Sequence, residues 1–305
     1  MRGRLLPVGR DNGGAGVRPE RAGSEPLAPY NKRVRRILLI ASLASGLWAQ
    51  DAAEIVRRAV AADSRNAELQ RTYTYRQREE TRELDSSGKD KRVSIRTVEI
   101  RMMDGSPYRR LVARNDRPLS PEEQKLEDDK ARFNLEQRDH ETPAARERRI
   151  AEWRKREDKR REPLREVPDA YNFKPAGEET VNGAACWVIE ATPKAGYKPK
   201  STASAVLPAL SGRIWVAKQD YGWVKTEMEA HDSFTMGGFL LRLSKGSRIV
   251  IEQGSEGGGV WLPKLVEIQF SARLLLVKSL REDLKFGFSD YRKPETEARA
   301  AGTQR

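Results

Sequence analysis

The chain has only one cysteine and two histidines among 305 residues, and these shortages exclude several kinds of site. The single cysteine, Cys186, cannot form an intrachain disulfide. With His140 and His231 it is also too little for a zinc site. We interpret Cys186 as a buried or half-buried strand residue, and His231-Asp232-Ser233 as a strand end, since adjacent strand residues point to opposite faces. The sequence therefore predicts no metal, no cofactor and no catalytic activity.

The sequence also lacks a glycine-rich phosphate loop and a stripe of clustered lysines and arginines. The formal net charge is +13, but residues 1–49 hold nine basic and three acidic side chains and so contribute +6 of it. The remaining charges of both signs are interspersed, whereas nucleic-acid binders usually gather basic residues on one face. We therefore predict no nucleic-acid partner. A contiguous basic face would revive that weaker hypothesis.

Residues 32–49 have the layout of a secretory signal peptide. Lys32-Arg33 and Arg35-Arg36 precede a short apolar run, Ile37 to Ala49, that ends in small residues. This run is shorter than the ~20 residues of a membrane-spanning helix. We expect cleavage after Ala49, with an uncleaved anchor or a buried core segment as the alternatives. Cys186 lies far from this signal, so lipidation of the kind found in bacterial lipoproteins is not expected.

The segments on either side of the predicted domain carry no pattern of folded structure. Residues 1–31 are rich in glycine, arginine and proline and lack periodicity, so we expect them to be disordered or untranslated, with translation starting nearer Val34. Residues 294–305 are predicted to be a disordered tail. Residues 50–293 are then long enough for one domain with a substantial core.

Periodicity predicts one helix followed mainly by strands. Apolar residues at Ile55, Val56, Ala59 and Val60 predict an amphipathic helix over 52–63. Alternating patterns then predict about ten antiparallel strands, the first over Leu69–Glu79. One of the turns between them is especially clear: Asn182-Gly183 suits the positive φ angles of a two-residue type I′ hairpin. The remaining strands are predicted near residues 93–103, 108–113, 171–181, 187–191, 213–217, 224–230, 239–243, 249–251, 266–276 and up to about 291.

Residues 116–168 interrupt this pattern as a charged helical insert. Ser120-Pro121 and Thr142-Pro143 each place a capping residue before a proline at the first helical position. We predict helices over 121–140 and 143–165. Their apolar residues, Leu126, Phe133, Ile150 and Trp153, are too sparse for a core face, which favours solvated helices over a partner-docking arm.

A sheet of this size must curl or be covered, and one short amphipathic helix cannot cover ten strands. A complete barrel would fill its interior with side chains, whereas an incomplete one would leave an apolar trough. The residues we predict to line such a trough are alternate apolar residues of two later strands: Trp187, Ile189, Val266, Ile268, Phe270, Leu274 and Leu276. The same residues could equally be core.

Three segments resemble the outer-membrane lipoprotein-sorting proteins, the periplasmic lipoprotein-carrier-like superfamily. These segments are Gly177–Pro193, Gly212–Lys218 with Trp223–Lys225, and Val260–Lys264. The resemblance implies a mainly β (α+β) fold, a curled antiparallel sheet forming an unclosed β-barrel with an N-terminal helix at its mouth. It also implies a periplasmic, non-catalytic protein that binds a lipid, an acyl chain or a lipoprotein during outer-membrane lipoprotein sorting or envelope transport. The alternative is a structural or sensory module that binds a membrane-associated protein partner through the half-barrel or the insert.

Overall fold

A computed structural model describes residues 52–236, 241–256, 259–274 and 278–293. The predicted leader, the predicted signal peptide and the predicted tail all lie outside these residues. No helix within the described ranges is long and apolar enough to cross a membrane.

Thirteen strands in the described ranges form one sheet. Eleven of them make a continuous path in the order β4-β3-β2-β1-β13-β12-β11-β8-β7-β6-β5, and the short β9 and β10 attach beside β12. The strands are β1 Thr74–Leu84, β2 Asp90–Met103, β3 Ser106–Arg114, β4 Arg117–Pro118, β5 Tyr171–Val181, β6 Ala184–Pro193, β7 Leu210–Ala217, β8 Trp223–Ala230, β9 Phe234–Met236, β10 Leu241–Leu243, β11 Arg248–Ser255, β12 Trp261–Leu274 and β13 Lys278–Arg292.

All neighbouring strands are antiparallel, and the sheet is not closed into a barrel, because β4 and β5 stand at opposite ends of the path. The predicted fold class, a mainly β protein with an unclosed antiparallel sheet, is therefore confirmed. The central pairing of β1 with β13 joins the first strand to the last. The chain between these two strands is roughly two hundred residues long.

The helix α1 covers residues 52–70 and confirms the predicted amphipathic pattern. Val56 and Ala59 are fully buried, and Ile55 and Val60 pack against the same core. The helix continues past Asp63, so the prediction that a strand begins at Leu69 is wrong and β1 begins at Thr74. A long-range contact accounts for the extension: the Asn66 side chain bonds both backbone polar groups of Trp261, at 2.6 and 3.0 Å.

The hairpin between β5 and β6 confirms the predicted two-residue turn. Asn182 and Gly183 have φ angles of 50° and 81°. Both lie in the left-handed region, which asparagine and glycine adopt more readily than other residues. Val181 pairs with Ala184 directly across the turn.

The insert forms two helices, α2 Pro121–Asp139 and α3 Pro143–Ala170. Ser120 and Glu123 make the predicted capping box, and Thr142 caps α3. The helix α3 extends five residues beyond the predicted end at 165 and includes Pro163 and Pro168. Because β4 precedes the insert and β5 follows it, the two helices connect the two ends of the open sheet.

The main core lies where α1 and the end of α3 pack on one face of β5–β8. Val56, Val167, Ile189, Ile214 and Met228 are among its buried residues. The opposite face of the same strands carries a second buried cluster of Cys186, Val188, Trp215, Ala217 and Val224, which Trp261 joins from the start of β12. Residues adjacent in sequence therefore enter different clusters, as the period of two in a strand requires.

Candidate functional site

A cavity of about 400 Å³ lies between the start of α1 and the β5–β6 edge of the sheet. Its volume falls within the range of small-molecule binding pockets, roughly 300–1,000 Å³. Most of its surface is apolar, and the charged groups belong to three residues. The lining residues are Ala52, Glu54, Ile55, Arg58, Pro175, Gly177, Glu178, Trp187, Val188, Ile189 and Tyr221.

Two aromatic side chains form one wall of this cavity. The rings of Trp187 and Tyr221 lie 5.5 Å apart with an interplanar angle of 32°. Such a tilted arrangement provides a broad apolar surface while leaving the polar tip of the tyrosine free to bond. Ile189, almost fully buried in the main core, lies beside them on β6.

Arg58 and Glu54 place charge at the α1 side of the cavity. Arg58 donates to the Tyr221 hydroxyl at 2.9 Å, and its guanidinium carbon lies 5.2 Å from the centre of that ring. Glu54 accepts from Arg57 at 2.9 Å and from Arg58 at 3.0 Å. These bonds lower the pKa of the Glu54 carboxyl, so it stays ionised. The apolar wall thus meets a hydrogen-bonded charged group on one side.

The turn between β7 and β8 positions Tyr221. This residue adopts φ 60°, which is uncommon for a bulky side chain. Asp220 holds the turn, since its carboxylate accepts from the Gly222 backbone at 2.9 Å and from the Trp261 indole at 3.0 Å. A Cβ at position 222 would lie 2.0 Å from that indole nitrogen, so glycine is required there.

The predicted trough residues fall into two groups in the structure. Trp187 and Ile189 line the cavity. Val266, Ile268 and Phe270 lie on β12 and are half-buried. The side chain of Leu274 and all of Leu276 lie outside the described part of the chain.

The β12 group belongs to an apolar patch that crosses three strands. In register across β11, β12 and β13, Ile249 pairs with Ile268 and then Leu284. The next row pairs Ile251 with Val266 and then Phe286. All six side chains are half-buried.

Buried core separates the two groups. Between β6 and β12 the sheet path passes β7, β8 and β11, which is four strand spacings or about 19 Å. On the same face, Ile214 and Met228 belong to the main core. Trp187 and Ile189 thus lie at the cavity, and Val266, Ile268 and Phe270 lie in the half-buried patch, with buried core between them. That all seven residues line one ligand-binding trough stays a prediction.

Arg58 and Tyr221 were missed by sequence reasoning. Arg58 reads as a solvated residue on the polar side of α1, and Tyr221 as part of a loop. The only local signal was Gln219-Asp220-Tyr221-Gly222, a turn with an aromatic residue at its tip. Arg58 and Tyr221 come close to Trp187 only because α1 packs against the sheet, and no local sequence pattern encodes that packing.

Three other residues were considered for possible chemistry in the sequence, Cys186, His140 and His231, and each has a structural position in the fold. Cys186 is completely buried, and burial raises the pKa of its thiol. His140 caps the end of α2, and His231 directly follows β8 as predicted. Within the described ranges, histidine, cysteine and carboxylate side chains form no group with the geometry to hold a metal ion.

Comparison with known proteins gives structural neighbours only. No family model and no curated protein matches the chain. A putative outer membrane lipoprotein-sorting protein domain from Vibrio parahaemolyticus is 11% identical, with a TM-score of 0.32, over 80% of this chain and 93% of that one. A LolA superfamily protein from Nitrosomonas europaea is 11% identical, with a TM-score of 0.23, over the same shares of the two chains.

A third neighbour is a complex, the Pseudomonas aeruginosa MucA/MucB structure. It is 9% identical with a TM-score of 0.24, over 80% of this chain and 99% of that one. The neighbours thus include the family that the three sequence segments resemble.

Proposed function

We propose that this protein binds an acyl chain, from a lipid or a lipoprotein, in the cavity between α1 and the β5–β6 edge. The observation that carries the proposal is the cavity itself, an apolar space of about 400 Å³ walled by Trp187, Tyr221 and Ile189. Each methylene that moves from water into such a space contributes about 0.8 kcal/mol. A linear hydrocarbon therefore gains affinity without any specific polar contact.

The proposed role is carriage, without catalysis. Both carboxylates at the cavity are engaged by cations, Glu54 by two arginines and Glu178 by Lys218 at 2.5 Å. The two arginines lower the pKa of the Glu54 carboxyl, so this group is a poor acceptor or donor of protons near neutral pH. The segment resemblance and the predicted signal peptide favour a periplasmic role in outer-membrane lipoprotein sorting or envelope transport. Val266, Ile268, Phe270, Leu274 and Leu276 remain predicted contacts of the chain.

A cavity-filling variant tests this proposal. Ile55→Trp places a larger side chain from α1 into the cavity, and we expect roughly tenfold weaker binding of a fluorescent fatty acid, because the displaced volume is the volume the chain needs. Lipids extracted from the purified protein and identified by mass spectrometry should fall in parallel.

Leu69→Trp is the matched control, because Leu69 lies on the same helix, is 49% exposed and does not line this cavity. It should bind the probe as the unsubstituted protein does. Absence of both extracted lipid and probe binding in the unsubstituted protein would contradict the proposal. Equal binding of the fatty acid by both variants would show that it binds outside this cavity.

A further inference from the structure

The helix α2 packs on the sheet with its polar side and exposes its apolar residues. Toward β3, Glu127 accepts the Leu111 backbone N–H at 3.3 Å and Arg110 pairs with Asp128. Toward the end of β2, Arg138 donates to the Met103 carbonyl at 2.6 Å. No residue of α2 is buried. This arrangement is the reverse of an ordinary amphipathic surface helix.

Two of the exposed apolar residues share one face of α2. Leu126 is 55% exposed and Phe133 is 61% exposed, the largest values for any large apolar side chain in the described ranges. Phe133 follows Leu126 by seven positions, so the two side chains lie two turns apart on the same side of the helix. An aromatic and a leucine side by side in this way form an anchor of the kind found at the centres of protein interfaces.

The neighbouring helix α3 carries the complementary charge. The helix α2 has seven acidic and four basic side chains, whereas α3 has seven acidic and ten basic. Arg148, Lys155 and Lys159 are exposed on one stripe of α3, and none forms an ion pair with any described residue. Ala151 is exposed on the same side and is small enough to admit a large side chain from outside.

We propose that the insert is a self-association surface on which α2 of one copy docks against α3 of a second copy. Both halves of the contact, an acidic helix with an apolar anchor and a basic helix with a small residue, belong to the same chain. A two-fold axis then makes the contact twice, α2 on α3 and α3 on α2, and closes the assembly at two copies. This inference is independent of what occupies the cavity beneath α1.

Sedimentation velocity of the full chain across a concentration series tests the proposal. We expect a monomer–dimer equilibrium that weakens as salt is raised, since the complementary charges are exposed and are screened by ions. Phe133→Asp should weaken the dimer by roughly tenfold or more, because it removes the anchor and adds a charge at its position. Val93→Asp, on β2 and 39% exposed, alters a comparable residue outside the insert and should leave the dimer unchanged.

A mixing experiment separates this arrangement from other dimers. The Phe133→Asp variant keeps an intact α3, and a Lys155→Glu/Lys159→Glu variant keeps an intact α2. Each alone should dimerise at least tenfold more weakly than the unsubstituted chain, while their mixture should form heterodimers more readily through the one remaining intact contact. A protein that stays monomeric at every concentration, a Phe133→Asp variant that dimerises normally, or a mixture that gains no heterodimer would each overturn the proposal.

Discussion

Two regions of the same sheet are stabilised by different means. In the apolar half, formed by β5–β8 and α1, the successive residues Ile214 and Trp215 are 0% and 4% exposed and enter hydrophobic clusters on opposite faces. In the ionic half, formed by β1–β3 and α2, the successive residues Glu79 and Glu80 are 7% and 8% exposed. Identical strand geometry thus buries hydrocarbon in one half and carboxylates in the other.

The buried carboxylates are stabilised by arginines that remain partly in water. Arg96 donates to Glu79 at 2.8 Å and Arg109 also pairs with it, with about half of each arginine side chain exposed. Arg78 and Arg82 each donate to Glu80 at 2.6 Å. Ion pairs whose arginines stay partly in water contribute little to the stability of the fold, and that contribution changes with pH and salt. The burial of apolar side chains does not depend on protonation or on the screening of charge. The cavity between α1 and the β5–β6 edge lies in the apolar half.

The largest effect is expected from a core truncation in the apolar half. Ile214 lies on β7 and is fully buried in the core that also contains α1 residues. Ile214→Ala should lower the free energy of unfolding by about 3 kcal/mol, because the variant loses hydrophobic contacts and leaves a cavity. Denaturant unfolding followed by tryptophan fluorescence measures this change.

Val93→Ala in β2 is the control for that measurement. It removes part of an aliphatic side chain that is 39% exposed and lies outside the insert, so the free energy of unfolding should change by less than about 1 kcal/mol. Equal losses from the two variants would contradict the division of the molecule into an apolar and an ionic half.

A smaller effect is expected from acid in the ionic half. Hydrogen bonds from Arg78 and then Arg82 lower the pKa of Glu80 below its ordinary value of 4.5. A carboxylate with a lowered pKa stabilises the fold above its unfolded-state pKa and loses that contribution as pH falls through the folded-state pKa. The loss should therefore begin near pH 4.5 and be complete below the lowered pKa, with a magnitude of about 1 kcal/mol.

Glu80→Gln isolates that contribution. The variant should be less stable than the unsubstituted protein at neutral pH, and the difference should shrink as the pH falls below 4.5. A stability difference that stays constant across this range would show that Glu80 acts through packing and not through its charge.

Local sequence patterns predicted the elements whose causes are local. Asn182-Gly183 specifies its own hairpin, and Ser120 with Glu123 specifies the start of α2. Alternating apolar residues located the later strands and assigned Ile189 and Val188 to opposite faces. These features depend on neighbours within a few residues, which the sequence displays directly.

Features with distant causes could not be predicted. The pairing of Asn66 with Trp261 extends α1, and its partners lie 195 residues apart in the chain. Trp153 is buried against Arg71, whose guanidinium lies 5.8 Å from its ring centre, although the apolar content of α3 indicated no core face. The cavity also depends on residues that are distant in the chain, since Arg58 and Tyr221 are brought together only by tertiary packing.

Photolabelling with a fatty acid that carries a diazirine on its chain tests the central claim most directly. Peptide mapping by mass spectrometry should place the label on residues that line the cavity, in α1, in β6 and at Tyr221, and excess unlabelled fatty acid should remove it. Label confined to the half-buried patch of β11–β13, or label that unlabelled fatty acid does not displace, would contradict acyl-chain binding in this cavity.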